Sequence, residues 1–263
     1  MRGTDDVSAV ITGMTDGERP FLGACLTSVL ADPGIGKVIL CIQDSNTWID
    51  EVLAAVGTDS RLQVIRMPLA PPGAVRNEAV KHVKTEWLAF CDGDDVWCKG
   101  KTLAQRAYAL ENNCDFVGSD HYLTDEPGRI RAIAMAEYLP MTSSWLVRAR
   151  IMREHPFKGC PIEDAEWWKR TSKANAFPKA RCPKLLLRYR VRAASLSSNE
   201  PFQAAQGQGR CDGEHPSDRI GRPGFNRGAV VGEPFEILPA VAQVADRSCE
   251  TGTRFSISRN QKS

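Results

Sequence analysis

The chain has 263 residues, of which 42% are hydrophobic and 25% are charged, and its formal net charge at pH 7 is +2. This length suffices for the core of one large domain, or of one domain with an appendage. The near-balanced charge excludes the strongly basic or acidic classes and gives no indication of a nucleic-acid partner.

No apolar run reaches membrane-spanning length, and the N-terminal residues do not resemble a signal peptide. We therefore expect a cytoplasmic protein without a transmembrane segment, and a peripheral contact with a membrane stays open. The chain contains nine cysteines, and no two of them form a Cys-x-x-Cys pair. Most lie in apolar segments, so we expect reduced cysteines in or near the core rather than a disulfide framework or a zinc site.

Short apolar runs alternate with helical patterns through the first 119 residues. This alternation predicts an α/β fold with a mainly parallel sheet flanked by helices. The predicted strands cover residues 7–12, 38–42, 62–67, a run ending at 92, and 115–119. The predicted helices lie after Pro20, through 48–56, after Pro71-Pro72-Gly73, and at about 101–111.

The alternation ends after residue 119. The turn sequence Asp125-Glu126-Pro127-Gly128 predicts a hairpin over 122–135. Helices are expected at 146–154 and 162–174, and a strand at 185–191. Residues 200–263 are rich in Gly, Gln, Arg and Pro without periodicity, so we expect an irregular or disordered tail after a folded domain at 1–199.

An acidic run follows the predicted strand that ends at residue 92. Asp92, Asp94 and Asp95 come together at its carboxyl end, the edge at which open parallel sheets bind their ligands. Clustered carboxylates repel one another unless a cation joins them. A hard divalent ion that takes one or two carboxylates and a substrate diphosphate meets that need, whereas the plainer alternative is a solvated acidic turn.

A positive charge precedes this acidic run in the sequence. Arg76-Asn77 lies at the start of a predicted helix. The planar guanidinium of Arg76 could pair with a phosphate or with a base edge, or it could be a surface charge of the helix.

The order of motifs resembles that of the family 2 glycosyltransferases of GT-A fold, from residue 7 to about residue 198. The matching segments are Gln43-Asp44-Ser45 after the second strand, Gly73-Ala74-Val75-Arg76-Asn77 at a helix start, Asp92-Gly93-Asp94-Asp95-Val96-Trp97, Glu163-Asp164-Ala165-Glu166-Trp167-Trp168, and Tyr189-Arg190-Val191-Arg192-Ala193-Ala194-Ser195-Leu196-Ser197. Each segment is weakly specific alone, but their shared order and spacing are strongly specific.

The resemblance implies an inverting transfer from a nucleoside diphosphate sugar, UDP-linked in the first instance, to an acceptor hydroxyl. It implies a nucleotide-binding half at 1–119 and an acceptor half at 120–199. A divalent cofactor, Mn²⁺ or Mg²⁺, would bind Asp94 and Asp92. Asp164 would act as the general base with Glu163 beside it, although an acidic first helical turn is also favoured by the helix dipole alone. The implied nucleotide contacts are Thr12, Gln43, Asp44, Arg76, Asp92 and Arg192.

Two residues depart from the family pattern. Gln43 stands where many relatives have a carboxylate, so the contact to the base would be an amide. Arg192 stands where many relatives have His, and an arginine cannot ligate a cation but can bind a diphosphate directly. The cofactor requirement would then be weaker than the family norm.

Two other functions stay open at this point. A nucleotidyltransferase would carry a Gly-rich phosphate loop with a basic residue after the first strand, and Gly13-Met14-Thr15-Asp16-Gly17-Glu18 is a poor version of one. A catalytically weakened nucleotide-binding protein is disfavoured by the retained Asp92, Asp94 and Asp164. It is left open by Gln43 and Arg192.

Overall fold

The computed structural model describes residues 7–136, 140–160 and 162–192. The predicted tail at 200–263 and the Ser195-Leu196-Ser197 part of the last motif lie outside the described residues, as does the predicted domain boundary at residue 199.

Helices cover both faces of one sheet in the described part of the chain. The strands are β1 (Val7–Gly13), β2 (Ile35–Gln43), β3 (Leu62–Met67), β4 (Trp87–Asp92), β5 (Val96–Trp97), β6 (Phe116–Thr124), β7 (Ile130–Ala134), β8 (Leu146–Arg148) and β9 (Lys179–Arg190). The helices are α1 (Arg19–Leu30), α2 (Ile49–Val56), α3 (Pro72–Lys81), α4 (Lys101–Glu111), α5 (Ala149–Glu154) and α6 (Glu163–Lys173).

The first half of the sheet is parallel, as the alternating pattern predicts. Its order is β3-β2-β1-β4, and all three of these pairings are parallel. The order continues as β8-β6-β9-β5, where β8 is antiparallel to β4 and to β6, and β6 is parallel to β9. The carboxyl ends of β1, β2 and β4 therefore meet at one edge of the sheet.

Two sequence predictions in the second half were wrong in their bounds. The helix expected at 146–154 is preceded by β8, because Leu146 and Val147 are buried between β4 and β6 and complete the sheet there. The last strand begins at Lys179 rather than at 185, and its pairing with β6 shifts register around Pro183, where the apolar alternation is lost. The hairpin expected around residues 125–128 is confirmed as the β6–β7 pair.

Side chains of the central strands alternate between two buried layers. In β1, Ala9 and Ile11 pack with α1 and α2, whereas Val10 packs on the opposite face with α3. That second layer contains a cluster of aromatic rings whose centroids lie 4.9–6.2 Å apart, namely Phe90, Phe116, Trp145, Phe157, Trp167 and Phe177. The cluster packs against α6, which contributes Trp167 to it.

The positions of the cysteines agree with the expectation that they lie in or near the core. Those in the described residues, Cys25, Cys41, Cys91, Cys98, Cys114, Cys160 and Cys182, are all buried. Within the same residues, no helix combines the length and the apolar character that crossing a membrane requires.

Candidate functional site

The acidic loop after β4 is held against the end of β1 by a close backbone approach. The N–H of Gly93 donates to the carbonyl oxygen of Thr12 at 2.8 Å. A Cβ atom on Gly93 would lie 2.6 Å from that oxygen, so a larger residue would push the loop away. Glycine between Asp92 and Asp94 therefore fixes where the two carboxylates stand.

Asp92 is held by groups from three other elements. Thr12 Oγ1 donates to Asp92 Oδ1 at 3.2 Å, and Arg76 Nη2 donates to the same oxygen at 2.7 Å. The backbone N–H of Asp92 donates to Ser143 Oγ at 2.9 Å. The structure thus brings together Thr12, Arg76 and Asp92, three of the residues that the family resemblance implies as nucleotide contacts.

Asp94 is paired with the other arginine that the sequence singled out. Arg192 Nε donates to Asp94 Oδ2 at 2.6 Å, and Arg192 Nη1 donates to the carbonyl oxygen of Gly17 at 3.0 Å. Burial and the neighbouring charge of Asp92 raise the pKa of Asp94, and the Arg192 guanidinium opposes that rise. The residue that replaces the family histidine thus neutralises the expected metal ligand.

Asp95 has a structural position instead of an exposed one. Its side chain is fully buried, and Oδ1 accepts the backbone N–H of Arg190 at 2.9 Å. Burial, reinforced by the charges of Asp94 and Asp92, raises the pKa of Asp95 well above its usual value. Asp95 ties the acidic loop to β9, and it does not cap α4, whose N-cap residue is Gly100.

The second acidic pair lies at the first turn of α6. Glu163 is buried, and its Oε1 accepts a hydrogen bond from Arg76 Nη1 at 2.6 Å. Burial raises the pKa of Glu163, while the charge of Arg76 opposes the rise. Asp164 is only partly buried, and its Oδ1 accepts the N–H of Ala165 at 2.7 Å. Arg76 therefore joins the acidic loop of β4 to the acidic turn of α6.

Gln43 and Asp44 lie at the carboxyl end of β2, next to β1. Gln43 is half-buried and Asp44 is exposed. The N–H of Asp44 donates to the carbonyl oxygen of Met67 at 2.9 Å, which fixes the backbone at the strand end. Both residues lie at the same edge of the sheet as Asp92, and among the described residues neither side chain is hydrogen-bonded to its carboxylate.

The carboxylates can be tested as a site for a divalent ion. The described residues contain no cluster of three or more His, Cys, Asp or Glu side chains arranged to hold a metal. Thr12 and Arg76 use one oxygen of Asp92, and Arg192 uses one oxygen of Asp94, so these contacts leave one oxygen on each carboxylate. Two carboxylate oxygens fit a Mn²⁺ or Mg²⁺ ion that completes its shell with water and a diphosphate.

Sequence reasoning missed two residues that shape the site. Ser143 lies in a short 3₁₀ turn between β7 and β8 and accepts the backbone N–H of Asp92. Arg190 Nε donates to the backbone carbonyl of Asp94 at 2.8 Å. The only sequence signal for Arg190 was its place in the last motif, and Ser143 had none. Trp167, which belongs to the acidic motif at the start of α6, is fully buried in the aromatic cluster.

The described residues form an α/β fold in which acidic strand ends meet the acidic start of a helix. The sequence profile described as "Glycosyl transferase family 2" matches residues 14–159, which is more than half of the 263-residue chain. The chain therefore belongs to the family 2 glycosyltransferases, and it is an enzyme of the glycosyltransferase class.

Two sequence relatives are also described as glycosyltransferases. The chain is 23% identical over 190 residues to the UDP-Glc:alpha-D-GlcNAc-diphosphoundecaprenol beta-1,3-glucosyltransferase WfgD of Escherichia coli, covering 68% of this chain and 75% of that protein. It is 30% identical over 105 residues to an uncharacterized glycosyltransferase of Rickettsia conorii, covering 40% of this chain but only 17% of that protein.

Solved structures share the GT-A fold. A crystal structure of residues 1–349 of Staphylococcus aureus TarS in complex with UDP-GlcNAc superposes with a TM-score of 0.59 at 16% identity, covering 76% of this chain and 64% of that one. The same TarS fragment in complex with UDP gives a TM-score of 0.54 at 18% identity, covering 71% of this chain and 60% of that one. The chain thus spans less than two thirds of the TarS fragment.

Proposed function

We propose that this chain transfers a sugar from a UDP-sugar to an acceptor hydroxyl with inversion at the sugar carbon. The UDP-containing name of the Escherichia coli relative and the UDP-GlcNAc and UDP complexes of TarS support a uridine donor. The proposed nucleotide contacts are Thr12, Gln43 and Asp44 in a nucleotide-binding half at residues 1–119, together with Arg192 from the acceptor half at 120–199.

The observation that carries this proposal is the Asp92–Arg76–Glu163 bridge. Arg76 contacts both carboxylates, at 2.7 Å and 2.6 Å, although they come from elements far apart in the sequence. An inverting transfer needs a base on one face of the sugar and a charge-stabilising site for the leaving diphosphate on the other. The bridge fixes the acidic loop after β4, on the proposed side of the leaving diphosphate, relative to the first turn of α6, which carries the candidate base Asp164.

Asp164 is the better candidate for the general base of the two acids in α6. Glu163 is buried and occupied by Arg76, whereas Asp164 is partly exposed at the start of the helix. Asp164 would take the proton from the acceptor hydroxyl as the hydroxyl oxygen attacks the sugar carbon. The bond from that carbon to the diphosphate breaks, and the diphosphate leaves with the electron pair.

Charge on the leaving diphosphate would be stabilised from the opposite side of the sugar. Arg192 lies at Asp94 and can donate charge-assisted hydrogen bonds to phosphate oxygens. Asp94 and Asp92 would hold a divalent ion through the oxygens that the arginines leave. When bound, that ion neutralises the diphosphate charge.

A nucleotidyltransferase is less well supported by the same region. The loop after β1 carries no basic residue before Arg19, and its Glu18 is buried and bonded to Thr15. Such a loop offers a triphosphate acidic groups where a phosphate loop would present a cation. The Asp92–Asp94 loop and the acidic start of α6 fit sugar transfer better.

Nucleotide binding provides the test of the proposed function. Calorimetry of the full chain with UDP, GDP, ADP and CDP, each with Mn²⁺ and with EDTA, should give tightest binding for UDP. Asp94→Ala should weaken the Mn²⁺-supported part of that binding, while Asp50→Ala, an exposed acid in α2, should leave it unchanged. Equal affinity for all four nucleotides, or wild-type binding by Asp94→Ala, would contradict the proposal.

A further inference from the structure

Arg76 is positioned as a buried connector. Only 5% of its surface is exposed, and its guanidinium is shared between Asp92 on the donor side and Glu163 on the acceptor side. The guanidinium also lies 5.8 Å from the centre of the Phe157 ring. A side chain enclosed in this way has little surface left for a ligand.

The next residue makes a second joint to the same region. Asn77 Nδ2 donates to the carbonyl oxygen of Phe157 at 2.8 Å, and the N–H of Phe157 donates to Asn77 Oδ1 at 2.9 Å. This reciprocal pair satisfies both backbone groups of one residue in the segment that leads into α6. Adjacent residues of α3 thus hold the approach to α6 and its first turn.

We propose that Arg76 and Asn77 are positioning residues that hold Asp164 in register with the donor loop, so that occupation of the Asp92 side is transmitted to the start of α6. The inference rests on the proposed function and deepens it. It gives Arg76 a role through Asp92 and Glu163 rather than a direct contact with the nucleotide.

The geometry of an arginine is needed for this role. A guanidinium presents separate N–H groups in a rigid fork and can hold two carboxylates in fixed directions, whereas an ammonium is a point charge that cannot reproduce both directions. Arg76→Lys keeps the charge and loosens the link. Glu163→Gln keeps an acceptor oxygen for Arg76 but removes the opposite charge.

The test uses the full chain with UDP and with UDP-glucose, whose slow hydrolysis to UDP reports turnover without an acceptor. For Arg76→Lys, we expect a UDP affinity within about threefold of wild type, and a kcat for hydrolysis lower by about tenfold or more with little change in KM. Arg150→Lys is the matched control, because Arg150 also lies between two acids, Asp115 and Glu154, but is exposed.

The change that UDP causes in amide hydrogen exchange over residues 163–168 gives a readout of the coupling between the two sides, separate from the stability of each variant without UDP. UDP should slow this exchange in the wild type and in Arg150→Lys, but not in Arg76→Lys. Glu163→Gln should lower kcat much less in the Arg76→Lys background than in the wild type, because both changes weaken the same Arg76–Glu163 pair. Retained UDP protection in Arg76→Lys, or a large loss of UDP affinity with unchanged kcat, would overturn the proposal.

Two further measurements test the proposal if Arg76→Lys does not fold or if the wild type binds no UDP. If Arg76→Lys does not fold, Asn77→Ala tests the second joint without altering any charge, and it should raise exchange at residues 157–168. If the wild type binds no UDP, the proposed function fails. Exchange without nucleotide then still tests the joint, since it should be faster at residues 163–168 in Arg76→Lys than in the wild type, and equal rates would refute it.

Discussion

Arg192 Nε lies 2.6 Å from Asp94 Oδ2, so an arginine two residues beyond the end of β9 is paired with the carboxylate that the family resemblance assigns to a metal. Arg192 also reaches the carbonyl oxygen of Gly17 in the loop after β1. A fixed positive charge therefore already stands beside the proposed diphosphate site. Charge neutralisation there would be shared between this guanidinium and a divalent ion.

This relationship predicts how nucleotide binding depends on metal. Arg192→Ala should weaken UDP binding in EDTA by about tenfold to a hundredfold, the range expected for loss of a charged hydrogen bond. Binding in Mn²⁺ should fall less, because Asp94 is then released for the ion. Calorimetry measures the UDP affinity in EDTA and in Mn²⁺, with Arg150→Ala as the control. Wild-type UDP affinity of Arg192→Ala in EDTA would show that Arg192 only ties the loop.

Asp164 is expected to affect turnover and not UDP affinity. Asp164→Asn should lower turnover of UDP-glucose by on the order of a hundred- to ten-thousand-fold, the usual contribution of a general base. UDP affinity should stay near wild type, because Asp164 lies on the acceptor side. Hydrolysis rates and calorimetry on the same preparations measure the two effects.

The control for this prediction lies two residues further along the same helix. Glu166 is paired with Arg170 and Lys158, so Glu166→Gln should leave turnover unchanged. A wild-type rate for Asp164→Asn would remove Asp164 from the reaction, and a loss shared equally by Glu166→Gln would point to a fault in α6 rather than in the base.

Local patterns predicted the parallel half of the fold well. The strand at 62–67 and the helix at 101–111 have the bounds found in the structure, because Pro, Gly and clear apolar periodicity delimit them. The three-residue strand β8 could not be read in this way. Its pairing with β4 and β6 comes from tertiary contacts, and its sequence continues into α5 without a break signal.

The site was predicted in its members but not in its connections. The carboxylates follow from strand ends and from the family motifs. The Arg76–Glu163 pair and the Arg192–Asp94 pair instead join residues that are 87 and 98 positions apart. No local pattern specifies such partners, since they depend on how α3, α6 and β9 pack. The burial of Asp95 was hidden for the same reason.

Lys101 provides a prediction on stability and pH. It is fully buried, with Nζ 4.2 Å from the centre of the Trp97 ring and 3.3 Å from the carbonyl oxygen of Trp145. Burial lowers its pKa to about 8. An unfolded lysine titrates near 10.4, so between about pH 8 and 10 the unfolded chain binds more protons at this site and the free energy of unfolding rises with pH.

Lys101→Met should remove the free-energy cost of burying the charged Lys101 side chain. At pH 7 the variant should be at least as stable as the wild type, because the price of burying the charge, on the order of a few kcal/mol, outweighs one cation–π contact and one hydrogen bond. The advantage should shrink as pH rises from 8 to 10. Urea denaturation across this range measures it, with the exposed Lys81→Met as control. A difference independent of pH would contradict the lowered pKa.

Gly73 tests how tightly α3 packs against the acceptor side. A Cβ atom at this position would lie 2.8 Å from Glu163 Cγ and 3.0 Å from Phe157 Cβ, closer than side chains tolerate. Gly73→Ala should therefore push α6 and the segment before it away from α3. Overpacking of this kind costs about 1–3 kcal/mol of unfolding free energy, which corresponds to several degrees in Tm for a domain of this size.

Scanning calorimetry should record this loss for Gly73→Ala but not for Gly159→Ala, where a Cβ atom meets nothing within 4 Å. Because the displaced atoms belong to Glu163 and Phe157, turnover of UDP-glucose should fall more than UDP affinity does. An unchanged Tm would mean that α6 yields without cost and that the contact between α3 and α6 is loose. In that case, the packing of α3 against α6 would not hold the Asp92–Arg76–Glu163 bridge rigidly in place.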